Sequence, residues 1–101
     1  MSLFNLKNKS ILITGSSRGI GKAIAMQCAI HGANVIISSR KADACDATAN
    51  EINKHVGSNK AFAIPASISE TEQLEYLVKK TIEKLGQIDV LVCNAATNPF
   101  M

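Results

Sequence analysis

The chain has 101 residues, of which 47% are hydrophobic and 19% charged, so we expect one globular domain, or part of one, rather than a disordered segment. The formal net charge is +3, only 4% of residues are aromatic, and the basic residues are scattered, which argues against nucleic-acid binding. No run approaches the roughly 20 apolar residues of a membrane span, and the N-terminal MSLFNLKNKS lacks the core of a signal peptide. We therefore expect a soluble, cytoplasmic protein without membrane partners.

The three cysteines, Cys28, Cys45 and Cys93, are an odd number and form no C-x-x-C pair. This spacing predicts reduced thiols rather than a disulfide scaffold. Cys28 and His31 do form a C-x-x-H, but no second ligand pair follows, so no metal site is expected.

The first predicted strand is Ser10–Thr14 (SILIT), a short apolar run rich in β-branched residues. A loop with three glycines follows it, within the stretch TGSSRGIG. A helix comes next and ends at Gly32. Its predicted apolar face repeats every four residues, at Ile20, Ile24 and Cys28, beside the small residues Ala23, Ala25 and Ala29.

The second predicted strand is Asn34–Ser39 (NVIISS), and the third is the shorter Lys60–Pro65 (KAFAIP). Between them lies a second amphipathic helix, which Gly57 caps. Its apolar positions recur at helical spacing: Cys45, Thr48, Ala49, Ile52 and Val56.

A third helix is predicted from a capping box, in which Ser69 is the N-cap and Glu72 lies three residues on. The helix ends at Gly86, and a fourth strand, Asp89–Cys93 (DVLVC), follows. The predicted buried face of this helix consists of Leu74, Leu77, Val78, Ile82 and Leu85.

The predicted order is β-α-β-α-β-α-β, and each strand is a nearly continuous apolar run, typical of strands covered on both faces. This alternation predicts an α/β fold, a Rossmann-type doubly wound parallel sheet of about four strands in the order 3-2-1-4. No linker or internal repeat divides the chain.

The glycine loop joins the first strand to the first helix, which is where a Rossmann unit binds phosphate. Gly15 permits the sharp turn, while Gly19 and Gly21 open the helix and bring it close to the sheet. The alternative is a glycine-rich turn without a ligand. A Walker loop is excluded because Ala23 stands where a magnesium-binding hydroxyl is required.

TGSSRGIG and the later Asn94-Ala95-Ala96 together resemble the short-chain dehydrogenase/reductase family. The loop matches the family's T-G-x-x-x-G-I-G fully, whereas its N-N-A-G motif is matched only in part, by Cys93 to Ala96. The stretches GANV, SSRK and IDVLV are also similar to family members, and SSRK with NAATNPF resembles the carbonyl and retinol reductase branch. The resemblance implies that residues 1–101 are the N-terminal part of a single Rossmann NAD(P)-binding domain.

The nucleotide is expected to be NADP(H) in preference to NAD(H). The carboxylate that selects NAD usually ends the second strand, but here Ser39 stands there and Arg40 and Lys41 follow. Arg40 has the planar fork that grips a phosphate, and Arg18 is placed to reach the same group. The alternative is that these cations are solvated surface charges.

The resemblance implies a wider set of cofactor contacts. Ser67 stands where the family usually has an Asp for the adenine, and it is alternatively a plain loop residue. For Asn94-Ala95-Ala96, structural support and cofactor contact remain equal alternatives. The predicted cofactor-binding residues are Gly15, Ser17, Arg18, Gly19, Ile20, Gly21, Ser39, Arg40, Lys41, Ser67, Ile68, Asn94, Ala95 and Ala96.

The family's catalytic residues are Ser, Tyr and Lys, with the last two in a Y-x-x-x-K that follows strand five. Tyr76 and Lys80 match those letters, but they lie on the third helix, before strand four, and are expected to be ordinary surface residues. Asp89 is interpreted as a strand-start residue rather than a catalytic acid. No catalytic residue is therefore assigned to this chain.

The resemblance implies a hydride transfer between a nicotinamide and a small-molecule carbonyl or alcohol, by a homo-oligomer (dimer or tetramer) when full-length. The fold is expected to be truncated after strand four, which leaves DVLVC as an open apolar edge and the chain alone inactive. The alternative is a non-catalytic dinucleotide-binding or regulatory module, complete at 101 residues.

Overall fold

The computed structural model describes residues 6–15, 19–66 and 71–93, and it contains the seven predicted elements in the predicted order. Three of the four strands are shorter than predicted: the second ends one residue earlier, the third is shorter at both ends, and the fourth begins one residue later. The bounds are β1 Ser10–Thr14, α1 Gly19–Ile30, β2 Asn34–Ser38, α2 Ala42–Val56, β3 Ala61–Ala63, α3 Thr71–Leu85 and β4 Val90–Cys93.

The strands form one four-stranded sheet in the order β3-β2-β1-β4, and all three strand pairs are parallel. This confirms the predicted doubly wound arrangement. β1 lies at the centre and is buried throughout. Its alternate residues face opposite layers, so that Ile11 and Ile13 pack in the cluster under α1 and α2, whereas Leu12 packs with Leu77 of α3.

Helix α1 packs on the sheet through small residues, Gly21, Ala25 and Ala29, which are buried at intervals of four. The predicted face was wrong at its first position, since Ile20 is 72% exposed. Ile24 and Cys28 only pack partly against the core. The row of small side chains lets the helix backbone lie close to the strands, which a row of isoleucines would prevent.

Helix α2 buries the predicted face: Val56 is partly buried, and the other predicted positions, Cys45, Thr48, Ala49 and Ile52, are buried. Gly57 ends it in the left-handed region (φ 77°), as predicted, and its N–H donates to the carbonyl of Asn53. The side chain of Asn53 then joins the helix to β3. Its Oδ1 accepts the N–H groups of Lys60 and Ala61, each over 2.7 Å, and its Nδ2 donates to the Ala61 carbonyl over 2.9 Å.

Helix α3 is rotated relative to the predicted face. Leu77 and Thr81 are fully buried and Val78 and Leu85 partly so, but Leu74 is 38% exposed and Ile82 45%. The row at 74, 78 and 82 is at least as apolar as the adjacent row at 77, 81 and 85, but the core covers the second row and, of the first, only Val78 in part. The predicted cap, Ser69 with Glu72, lies outside the residues whose side chains are described.

Strand β4 pairs with β1 at one edge of the sheet, and its side chains are largely accessible, with Leu91 49% exposed. The prediction that every strand is covered on both faces is therefore wrong for β4, and the prediction of an open apolar edge is confirmed for its described residues. None of the helices in the described ranges has the length and apolar character to cross a membrane.

We expect Asn53→Ala to lower the free energy of unfolding by about 2 kcal/mol, because the Ala61 N–H loses the Asn53 acceptor and the Lys60 N–H keeps only its longer bond to the Ser58 carbonyl. Urea denaturation followed by circular dichroism measures this change. Asn50→Ala, an exposed position on the same helix, is the matched control and should shift stability by no more than about 0.5 kcal/mol. Equal effects of the two substitutions would contradict the role assigned to Asn53.

Candidate functional site

The carboxyl ends of three strands meet at one edge of the sheet. Thr14, the last residue of β1, is paired with Ser38 on one side and with Cys93 on the other. The Thr14 hydroxyl donates to the carbonyl of Val92 over 3.4 Å, which adds a side-chain link between β1 and β4. The register therefore brings Gly15 and Ser39, which follow β1 and β2, to neighbouring positions.

The glycine loop leads into the N-terminus of α1 at this edge. Gly15 and Gly19 both have positive φ angles, 65° and 62°, which side chains other than glycine rarely adopt. A Cβ placed on Gly19 would meet no atom of the described residues within 4 Å. The first turn of α1 contains no acidic side chain, so its N–H groups present an uncancelled positive dipole end to an anion.

The turn from β2 to α2 contains the three residues predicted to choose the nucleotide. Ser39 is half-buried, whereas Arg40 and Lys41 are exposed. The backbone N–H of Lys41 donates to Ser39 Oγ over 3.3 Å, a short-range bond that holds the turn. One guanidinium and one ammonium group are thus exposed to solvent beside a strand end that has no carboxylate.

The chain after β3 runs along this same turn. The Ile64 N–H donates to the Ile37 carbonyl over 3.0 Å, and the Ala66 N–H donates to the Ser39 carbonyl over 2.9 Å. Ala66 directly precedes Ser67, so this backbone bond connects the turn predicted to select the nucleotide with the residue before the predicted adenine contact. Seven of the predicted residues lie outside the described residues: Ser17, Arg18, Ser67, Ile68, Asn94, Ala95 and Ala96.

Sequence reasoning missed one residue that contacts this turn. Cys45, on α2, is fully buried, and its Sγ lies 3.2 Å from Ser39 Oγ and 3.8 Å from the Ser39 carbonyl oxygen. The helical spacing identified Cys45 only as a core position, and no local signal links it to a residue six positions earlier. Only the packing of α2 on β2 brings the two side chains together.

The false Y-x-x-x-K lies on α3, as predicted. Tyr76 is an exposed residue, and Lys80 Nζ lies 5.7 Å from the centre of its ring and 3.5 Å from a carboxylate oxygen of Glu83. Both contacts are ordinary for a solvated helix surface. They support the interpretation of Tyr76 and Lys80 as surface residues.

Asp89 lies at the other end of the strands, beside Ser10, where β1 begins. Its Oδ2 accepts the Ser10 N–H over 2.7 Å, its own N–H donates to the Ser10 carbonyl over 2.8 Å, and Gln87 Nε2 donates to both carboxylate oxygens. The Ser10 bond, and then the Gln87 bonds, hold the pKa of Asp89 below its usual range. Asp89 is thus a structural link between β1 and β4.

Two further observations concern thiol reactivity and metal binding. Burial raises the pKa of the Cys28 thiol, which disfavours its reactive thiolate form. Across residues 6–15, 19–66 and 71–93, no three His, Cys, Asp or Glu side chains come together as a possible metal site.

The family model for short chain dehydrogenases matches residues 9–101 of the chain. The chain belongs to the short-chain dehydrogenase/reductase family. Among curated relatives of this family, a short-chain dehydrogenase/reductase of Arabidopsis thaliana, SDRA, is 39% identical over 95 residues, which cover 93% of this chain and 36% of that protein. The chain therefore spans little more than a third of the length of this relative.

Two solved structures of the family show its cofactors. L-sorbose reductase from Gluconobacter frateurii, complexed with NADPH and L-sorbose, is 30% identical, with a TM-score of 0.87 over 93% of this chain and 35% of that one. The 3-ketoacyl-(acyl-carrier-protein) reductase from Brucella melitensis, complexed with NADH, is 32% identical, with a TM-score of 0.78 over 85% of this chain and 33% of that one. Family members of this fold thus bind either nicotinamide nucleotide.

The Asp89 link predicts a specific pH dependence of stability. Because the folded pKa is lowered, the carboxylate contributes stability that is present above its ordinary value of 3.8 and is lost as pH falls through the folded value. We expect Asp89→Asn to be less stable at about pH 6 but to lose less stability than the unsubstituted protein between about pH 4 and pH 2.

Urea midpoints across that range measure the slopes. Asp46→Asn, an exposed position on α2, is the matched control and should keep the unsubstituted slope. An Asp89→Asn protein with that same slope would show that the carboxylate charge at β1 is irrelevant.

Proposed function

We propose that this chain provides the cofactor-binding part of an oxidoreductase that transfers a hydride between NADP(H) and a small-molecule carbonyl or alcohol. The nicotinamide ring supplies the hydride chemistry when the nucleotide is bound. The observation that carries the proposal is the meeting of the glycine loop with the Ser39-Arg40-Lys41 turn at adjacent strand ends, fixed by the pairing of Thr14 with Ser38.

The glycine loop is proposed to hold the pyrophosphate. The open space at Gly19 and the positive dipole end of α1 fit an anion in close contact with the backbone. Ser17 and Arg18, which come directly before Gly19, are proposed to add polar contacts. The exposed apolar side chain of Ile20 is proposed to lie against the cofactor, which would remove from water a group that the core does not cover.

The choice of NADP(H) over NAD(H) is proposed to follow from the charge of the β2–α2 turn. An adenosine 2′-phosphate is an anion that only accepts hydrogen bonds, and Arg40 can donate two parallel bonds to it while Lys41 adds a point charge. Ser39 brings no repulsion where a carboxylate would. Each charge-assisted hydrogen bond contributes about 1.5–3 kcal/mol, enough for a clear preference.

The remaining contacts are proposed at the ends of the neighbouring strands. Ser67 and Ile68 follow Ala66, whose N–H is bonded to Ser39, and this bond supports a place for the adenine beside the ribose turn. Asn94, Ala95 and Ala96 follow β4, which ends level with Thr14. Small side chains at that place would suit the close approach of a ribose.

We expect calorimetry to give a dissociation constant for NADPH at least about tenfold lower than that for NADH, the equivalent of one charge-assisted bond. Arg40→Ala should weaken NADPH binding by about tenfold and change NADH binding little. Raising the ionic strength should narrow the difference between the two nucleotides, because the contacts are exposed.

Lys54→Ala is the matched control, since it removes an exposed charge from the distant last turn of α2. It should leave both dissociation constants unchanged. Equal affinities of the unsubstituted protein for the two nucleotides would refute the proposed preference, and binding of neither would refute the site.

A further inference from the structure

Cys45 contacts the Ser39-Arg40-Lys41 turn at both of its ends, through its buried thiol at Ser39 and through its backbone N–H at Lys41. Its Sγ lies 3.2 Å from Ser39 Oγ, and its backbone N–H donates to the Lys41 carbonyl over 3.0 Å. Because Cys45 is fully buried and held in the first turns of α2, its thiol has a fixed position beneath Ser39.

The hydrogen bonds available to the Ser39 hydroxyl are limited. A serine hydroxyl has one hydrogen to donate and two lone pairs that accept. The Lys41 N–H uses one lone pair. Across the 3.2 Å to Cys45 Sγ, either the hydroxyl or the thiol can be the donor. If the hydroxyl donates, one of its lone pairs remains for a ligand, and if the thiol donates, the hydroxyl hydrogen remains instead.

We propose that Cys45 is a positioning residue that makes Ser39 a pure hydrogen-bond donor toward the nucleotide. The single thiol hydrogen goes to the nearer of its two acceptors, Ser39 Oγ at 3.2 Å rather than the Ser39 carbonyl oxygen at 3.8 Å. The Lys41 N–H occupies the other lone pair of Oγ, so the hydroxyl hydrogen points to the ligand. This inference rests on the proposed preference for NADP(H) and deepens it.

This arrangement favours a phosphate over a free ribose hydroxyl. A phosphate oxygen is a charged acceptor, and a bond to it is roughly twice as strong as a bond between neutral groups. The 2′-hydroxyl of NAD(H) would find no acceptor on Ser39 for its own hydrogen, since both lone pairs are in use. The buried Cys45 thiol thus increases the preference for NADP(H) that Arg40 provides, and it acts through the Ser39 hydroxyl without touching the nucleotide.

The test compares two substitutions that differ in the ability to donate. Cys45→Val keeps an apolar side chain of similar size and removes the donor, whereas Cys45→Ser keeps a donor. The ratio of the dissociation constants for NADH and NADPH is measured by calorimetry, with the melting temperature of each variant. We expect the ratio to fall about fivefold in Cys45→Val, the equivalent of one neutral hydrogen bond, and to stay within about twofold in Cys45→Ser.

The outcomes separate this inference from the proposed function. A ratio near one in the unsubstituted protein overturns the NADP(H) preference and the role of Cys45 with it. A high ratio that Cys45→Val leaves unchanged, or a loss of affinity for both nucleotides alike, overturns only the role of Cys45. In Ser39→Ala, which has lost the acceptor, Cys45→Val should lower the ratio no further.

An infrared measurement does not depend on the folding of Cys45→Val. In a Cys28→Ala/Cys93→Ala protein, Cys45 is the remaining thiol, and its S–H stretching band reports donation. We expect NADPH to shift this band to lower frequency and NADH to shift it less. A band that is unchanged by NADPH would overturn the proposal.

Discussion

The parallel pairing of β1 between β2 and β4 is the interaction on which the rest of the molecule depends. The pairing aligns Thr14 with Ser38 and with Cys93, so the three strands end level with one another. Since parallel strands all point the same way, the turns that follow them emerge at a single edge. The glycine loop and the Ser39-Arg40-Lys41 turn are 18 or more residues apart in the sequence, and this register makes them neighbours.

Helices α1 and α2 cover one face of β1 and β2, α3 covers the other, and the two layers pack through side chains of different size. Under α1, Gly21, Ala25 and Ala29 allow the helix to lie close to the strands, and its N-terminus is thereby held beside the β1 end. On the other face, Leu12 and Ile36 need a larger partner, which Leu77 of α3 provides. Of the apolar residues left outside these layers, Ile20 lies in the first turn of α1 and Leu91 on the edge strand β4.

Much of the fold could be predicted because strands covered on both faces are continuous apolar runs and glycines end the helices. The boundaries of β1, the buried face of α2 and the strand order are all confirmed. The faces of α1 and α3 were less predictable. Each of these helices has two adjacent rows of apolar or small residues. In α1 the rows are 20, 24, 28 and 21, 25, 29, and in α3 they are 74, 78, 82 and 77, 81, 85. Periodicity cannot distinguish such rows, since the choice depends on the shape of the sheet beneath.

The sequence by itself determined the family, the order of the elements and the basic character of the β2–α2 turn, because these depend on residue type and local spacing. Only the tertiary structure decided which residues surround that turn. The Ala66 backbone bond to Ser39 and the Cys45 thiol beneath it arise from the packing of β3 and α2 against β2. Such contacts join positions that have no common pattern in the sequence. The TGSSRGIG loop thus points to the family, while the surroundings of Ser39 are set by the packed core.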